Sequence, residues 1–169
     1  TKNMEIKKLV SYPKSYEKKS NKKWPLILFL HGIGERGNNL ELLKLHGIPK
    51  IVDSNKEFPF ITVSPQCPLE FDWRENKMQD KVISMLENFI KNNNVDKERI
   101  YITGLSMGGY GTWSILSKHP KLFAAAIPIC GGGNPAKALK LKDIPIWTFH
   151  GEDDDVIPVI ETINMVDAI

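Results

Sequence analysis

A chain of 169 residues, 41% hydrophobic and 25% charged, has the length and apolar content for one globular domain with a real core and no disordered bulk. No apolar run approaches the roughly twenty residues of a membrane span, and the start lacks the charged-then-apolar pattern of a signal peptide, so no membrane partner is expected. The 23 basic and 20 acidic residues leave a net charge of +3, and Lys2, Lys7, Lys8, Lys14, Lys18, Lys19, Lys22 and Lys23 crowd into the opening stretch. A nucleic-acid arm needs such a patch to continue or to interleave with stacking aromatics; this one does neither and reads as a solvated hairpin face. The chain begins at Thr1 rather than Met, which leaves an upstream leader or domain, and localisation, open.

In chain order, residues 4–16 read as one or two edge strands, with Ile6, Leu9 and Tyr12 apolar and Pro13 as breaker. Residues 24–30 (WPLILFL) form a continuous apolar run, as expected of a parallel strand covered on both faces. The loop His31-Gly32-Ile33-Gly34-Glu35-Arg36-Gly37 follows, then helical pieces at 40–45 and 48–52, broken near Gly47 and Pro49. A second buried strand is expected at 60–64. Met78, Val82, Ile83, Leu86, Phe89 and Ile90 then keep to one face at helical spacing until Asn92-Asn93-Asn94. Strands are expected again at 100–102, 124–129 and 144–149, and a last helix at 159–169 with Ile160, Ile163, Val166 and Ile169 as its apolar stripe.

The third of these strands runs into Gly104-Leu105-Ser106-Met107-Gly108, and Tyr110, Trp113, Ile115 and Leu116 after it have helical spacing. A G-x-S-x-G pentapeptide between strand and helix is the pattern of a nucleophile elbow, with Ser106 at its apex. The turn is tight enough that a side chain two residues either side of the serine would crowd neighbouring backbone. The same five residues also fit a glycine-rich turn carrying a solvated serine. An elbow further requires Ser106 to hold a sparsely populated backbone conformation.

Apolar strands alternating with helices predict an α/β domain: an open, mostly parallel sheet with helices on both faces. Sites in such sheets lie at the carboxyl ends of the strands. Those ends here carry His31 to Gly34, Ser106, Gly131-Gly132-Gly133, and His150-Gly151-Glu152-Asp153-Asp154-Asp155, distant in sequence yet meeting at one edge.

Residues 28–37 (LFLHGIGERG), 104–113 (GLSMGGYGTW) and 150–158 (HGEDDDVIP), in that order, resemble the α/β-hydrolase superfamily. More narrowly, they resemble the esterase and predicted-peptidase group that includes feruloyl and acetylxylan esterases and polyhydroxybutyrate depolymerases. The resemblance covers roughly residue 24 onward and implies a serine hydrolase with a Ser, Asp, His triad in that chain order. Ser106 is then the nucleophile. The helix after it aims its amino end at the site, so the Met107 amide can donate to the developing oxyanion. The resemblance gives the second donor to the amide of Ile33, with Gly34 competing, and makes His31 a structural brace of its loop. His150 is read the same way, and His46 and His119 as surface or packing residues. The family pattern His-Gly-x-x-Asp-x-x-Val-Pro places the triad acid at Asp154, with Asp155 as alternative. The acidic run lacks the spacing of a calcium loop, so neither metal nor other cofactor is expected.

About a dozen residues separate the strands at 124–129 and 144–149, too few for a lid, which suggests an open cleft for a small-molecule or polysaccharide-linked ester. Trp73 is a candidate to line that cleft, with loop packing as the alternative. In the family's strand order two strands separate those ending near Cys67 and Cys130, roughly 14 Å, so both are expected as free thiols. Ester hydrolase, peptidase or thioesterase, and catalytically inactive binding module are the function classes in play.

No histidine occurs between Gly151 and Ile169, where the triad base is expected, and the family's last strand and helix are missing too. The expectation is a single α/β-hydrolase domain over 1–169, truncated at its C-terminal side, with a C-terminal fragment as the partner that completes it.

Overall fold

A computed structural model describes residues 6–169. Five strands form one sheet in the order β1-β3-β2-β4-β5: β1 (Lys8–Ser11), β2 (Trp24–Leu30), β3 (Ile61–Pro65), β4 (Val95–Leu105) and β5 (Ala125–Ile129). Only β1 runs antiparallel, pairing along β3; β2, β3, β4 and β5 are parallel. The helices are α1 (Gly47–Ser54), α2 (Asn76–Asn92), α3 (Met107–Lys118) and α4 (Ile160–Ala168), joined by 3-10 turns at Ile33–Glu35, Leu40–Leu45 and Pro135–Leu141.

Successive residues of a strand point to opposite faces. Leu26, Leu28 and Leu30 enter the main core with Ile61, Val63, Ile100 and Ile102, against the buried sides of α2 and α3. The α2 side carries Met78, Val82, Ile83, Leu86 and Phe89, as the spacing predicts. Phe29 points the other way, under the first turn of α1, where a Cβ on Gly47 would come within 2.4 Å of Phe29 Cζ. The sheet is thus covered on both faces at β2.

Several elements differ from expectation. Residues 1–5, which include Lys2 and the start of the first edge segment, lie outside the described residues. β4 begins at Val95, not residue 100, with a register irregularity opposite Trp24 and Leu26. The 3-10 turn Pro135–Leu141 has no periodic signal; Asn134 caps it by accepting from the Ala136 amide at 3.0 Å.

Residues 144–149 form the apolar edge of the sheet but not a regular strand. They run parallel beside β5 through isolated bridges, Ala126 to Ile146 and Ile129 to Phe149. Pro145 has no N–H to donate and no strand lies outside the segment among the described residues. The face that Phe29 shares with Thr103 and Ile127 by register continues onto Trp147, and there nothing covers it. Ile127, Trp147 and Phe149 are 38%, 68% and 45% exposed.

The stripe of α4 is turned outward as well. Ile160, Ile163, Val166 and Ile169 are exposed, whereas Thr162 and Met165 are buried. The reason is polar. Thr162 Oγ1 donates to the Gly131 carbonyl at 3.0 Å and meets His150 Nδ1 at 2.7 Å, which draws that side of the helix inward.

Candidate active site

Ser106 has φ 59° and ψ −111°, a left-handed conformation that side chains rarely adopt. Its position precedes α3, where a serine normally caps the helix with its hydroxyl, yet this side chain makes no capping bond. The backbone holds it instead: Ser106 N donates to Ile129 O at 2.9 Å, and Ser106 O accepts from Gly109 and Tyr110 amides at 2.8 and 3.1 Å. The hydroxyl is left half-buried and uncommitted.

Glycine makes this possible. A Cβ on Gly108 would lie 1.8 Å from Leu30 O, and one on Gly104 would lie 2.1 Å from Gly108 O. No side chain fits at either place, so the first turn of α3 seats directly on the end of β2. Gly32 closes the other side, where an added Cβ would be 3.7 Å from Ser106 Cβ. The loop carrying Ile33 therefore abuts Ser106.

Two features set the loop's orientation. His31 is buried; its Nδ1–H donates to Gly32 O at 2.5 Å and its Nε2 accepts from the Cys67 amide at 2.9 Å. The first bond fixes the peptide whose other end is the Ile33 N–H. Burial holds the imidazole neutral, its pKa lowered from 6.5 to about 4. Arg36 meanwhile donates to the carbonyls of Ile33, Leu69 and Phe71 at 3.1 to 3.2 Å, tying the loop to the segment after β3. Ile33 and Met107 each begin a helical turn, and the first amides of a helix lack intrahelical acceptors.

Trp73 does not line a cleft. It is fully buried, donates Nε1–H to His31 O at 3.0 Å, and meets the His31 ring edge-on at 5.1 Å. Packed against Gly111 of α3, it wedges beneath the loop and so cannot touch a substrate.

At the neighbouring strand end, Asp154 Oδ1 accepts from the amides of Val156 and Ile157, both at 2.9 Å. The Ile157 amide, then the Val156 amide, hold its carboxyl below the usual carboxylate range. Oδ2 lies 3.6 Å from His150 Nε2. Asp153 and Asp155 are exposed, so of the three consecutive aspartates only Asp154 is anchored. His150 is itself engaged at both nitrogens, with Thr162 Oγ1 and with Ile157 O at 2.7 Å. His119 ends α3 and His46 precedes α1; neither lies at the carboxyl ends of the strands. No histidine among the described residues is placed as a base beside Ser106.

Cys67 and Cys130 are both free, with β2 and β4 between the strands they follow. Burial pushes the Cys67 thiol up to about 12. Cys130 holds a positive φ of 52°. The parts the motifs did not signal are Arg36 and Thr162, whose bonds cross between loops distant in sequence. A charged residue inside a glycine-rich loop was the available hint for Arg36 and its neighbour Glu35.

An open, mostly parallel sheet, a glycine-locked strand-to-helix serine and a glycine-rich loop against it define an α/β-hydrolase. The sequence profile of the prolyl oligopeptidase family matches residues 68–148. A bifunctional acetylxylan esterase/xylanase of Neocallimastix patriciarum is 31% identical over 137 residues, 79% of this chain and 20% of that protein. A poly(3-hydroxyalkanoate) depolymerase C of Paucimonas lemoignei is 31% identical over 124 residues, 64% of this chain and 28% of its own length. The crystal structure of a thermostable esterase superposes with a TM-score of 0.83 at 40% identity, covering 99% of this chain and 48% of that one. The chain belongs to the α/β-hydrolase superfamily and resembles its esterase group, spanning about half or less of these relatives.

Proposed function

We propose that this is the nucleophile-bearing part of a serine carboxylic ester hydrolase that works through an acyl-enzyme on Ser106. The observation that carries the reading is the strained, uncapped backbone of Ser106 between two glycines that admit no side chain. A helix-starting serine that declines its own cap has its hydroxyl free for a substrate carbonyl. In the reaction Ser106 Oγ attacks that carbonyl, and the oxyanion is held by the amides of Met107 and Ile33, the latter aimed by His31. Asp154 orients the base, which takes the Ser106 hydroxyl proton and gives it to the departing alcohol; water deprotonated by the same base then releases the acid and Ser106 regains its proton.

The base is a histidine outside these 169 residues. Two observations support this: His31 and His150 have both ring nitrogens occupied, and the sheet face at Ile127, Trp147 and Phe149, with the outer stripe of α4, is uncovered. A further segment that covers this face and carries the base completes the triad. The cleft is then open, since only a short 3-10 turn lies between β5 and residue 144, and it suits an acyl group on a bulky or polysaccharide-linked alcohol.

In a chain extended to include the base, a fluorophosphonate probe tests the nucleophile: label is expected on Ser106 and none on Ser106→Ala. The 169-residue chain should hydrolyse p-nitrophenyl acetate barely above background, because losing a triad histidine typically costs about six decades in turnover. A chain extended to include a histidine-bearing segment should recover that loss. Robust Ser106-dependent turnover by the 169-residue chain would place the base within it. The match to the prolyl oligopeptidase profile favours amide hydrolysis as the second reading. Matched ester, thioester and amide substrates separate the two.

A further inference from the structure

Glu35 is the only carboxylate among the described residues in the buried class, at 5% exposure. Its backbone is pinned, with the amide donating to Gly32 O and the carbonyl accepting from Gln66 Nε2 at 2.9 Å. Its carboxylate forms no hydrogen bond or ion pair among the described residues. Arg36, next in sequence, spends its guanidinium on the carbonyls of Ile33, Leu69 and Phe71.

The place where this carboxylate ends is unusual. A methyl group on Gly32 would be 3.4 Å from Glu35 Oε2, 3.5 Å from Leu105 O and 3.7 Å from Ser106 Cβ. The acid and the nucleophile flank the same glycine. Its oxygens are not among the fully buried unpartnered side-chain atoms, which among the described residues are Gln66 Oε1 and Trp113 Nε1, so the carboxylate opens to solvent beside Ser106 while the rest of the side chain is buried. The fold supplies no donor here, and packing alone is served as well by an uncharged side chain of the same shape.

We infer that Glu35 is a substrate-recognition residue whose carboxylate accepts a hydrogen bond from a hydroxyl or ammonium group carried close to the scissile carbonyl. It also disfavours substrates bearing a carboxylate there. A negative charge this near the reacting carbon acts through space as well as by contact, and at an effective dielectric between those of the protein surface and bulk water the discrimination amounts to about tenfold. The inference rests on the reading of Ser106 as nucleophile and deepens it toward polyol or amino esters.

The test applies four fluorophosphonates of equal chain length, ending in methyl, hydroxyl, ammonium or carboxylate, to the native chain extended by its histidine-bearing segment, with Ser106 labelling followed by intact mass. In the native chain the ammonium and hydroxyl probes should label faster than the methyl probe, and the carboxylate probe slowest, with about tenfold between ammonium and carboxylate. Glu35→Gln should bring the ratio near one without lowering the thermal midpoint, and Glu35→Asp should retain part of it. A native ratio near one overturns the inference before any variant is made. An equal ratio in native chain and Glu35→Gln also overturns it, and leaves the carboxylate to an ordered water. Failure of every probe to label Ser106 removes the hydrolase reading and this inference together, whereas labelling without charge preference removes only this one.

Discussion

The elbow around Ser106 and the far edge of the sheet, residues 144–169, both carry apolar residues, but these meet opposite fates. At the elbow backbone touches backbone: Gly108 lies on Leu30 O, Gly104 on Gly108 O, Gly109 against Ile129 O, and no methyl group fits. At the edge Trp147 is 68% exposed and meets the Phe149 ring at a tilt, with ring centroids 5.0 Å apart, while the apolar stripe of α4 faces out. Apolar content alone does not separate these regions. What separates them is whether a partner element stands within packing distance, and that is why the first is close-packed and the second is exposed.

The largest effect should come from Gly108→Ala. In an ordinary helix this exchange stabilises by about 1 kcal/mol, but here the new Cβ meets Leu30 O at 1.8 Å. Loss of about 4 kcal/mol or more is expected by urea denaturation, or failure to fold. Gly34→Ala, with nothing within 4 Å, should be close to neutral. Equal effects at the two glycines would erase the contrast between a locked elbow and the looser structure around it.

His31 sharpens the same contrast through pH. Its folded pKa of about 4 lies below the ordinary 6.5, so the unfolded chain binds its proton first on acidification. The contribution is fully present above pH 6.5 and is lost as pH falls from 6.5 to 4, an effect of about 3 kcal/mol. Unfolding free energies measured across that window should slope more steeply in the native chain than in His31→Gln. Parallel slopes would show that the imidazole is not held neutral by its burial.

The smallest effect belongs to the edge. Trp147→Lys in the 169-residue chain should change stability by no more than about 0.5 kcal/mol while reducing self-association by light scattering. In an extended chain that covers this face, the same exchange should destabilise by about 2 kcal/mol or more. An equally small effect in both would mean that the extension does not cover Trp147.

Much of this was legible in the chain itself, because strands and helices declare themselves through period. The apolar runs at β2 and β3, the spacing of α2, and the glycines two residues either side of Ser106 were all readable, since each follows from local sterics. The anchoring of Asp154 rather than its neighbours follows the family pattern, and the structure adds two backbone donors that the other aspartates lack. Trp73 was ambiguous in sequence, because an aromatic in a loop has the same local signature whether it rims a cleft or supports the floor beneath it. Its bond to His31 O spans 42 positions.

Likewise, the stripe Ile160, Ile163, Val166 was correctly periodic but its direction was not. The sequence determined that a helix would form there and that a serine would stand at a glycine-framed turn, because those depend on residues within a few positions of one another. Only the tertiary structure decided which side of α4 turned inward, which histidine nitrogens were spent, and that Glu35 would be buried beside Ser106. These outcomes depend on which carbonyls and hydroxyls arrive from elsewhere in the chain, as Thr162 does at Gly131 and His150, and no local pattern encodes that arrival.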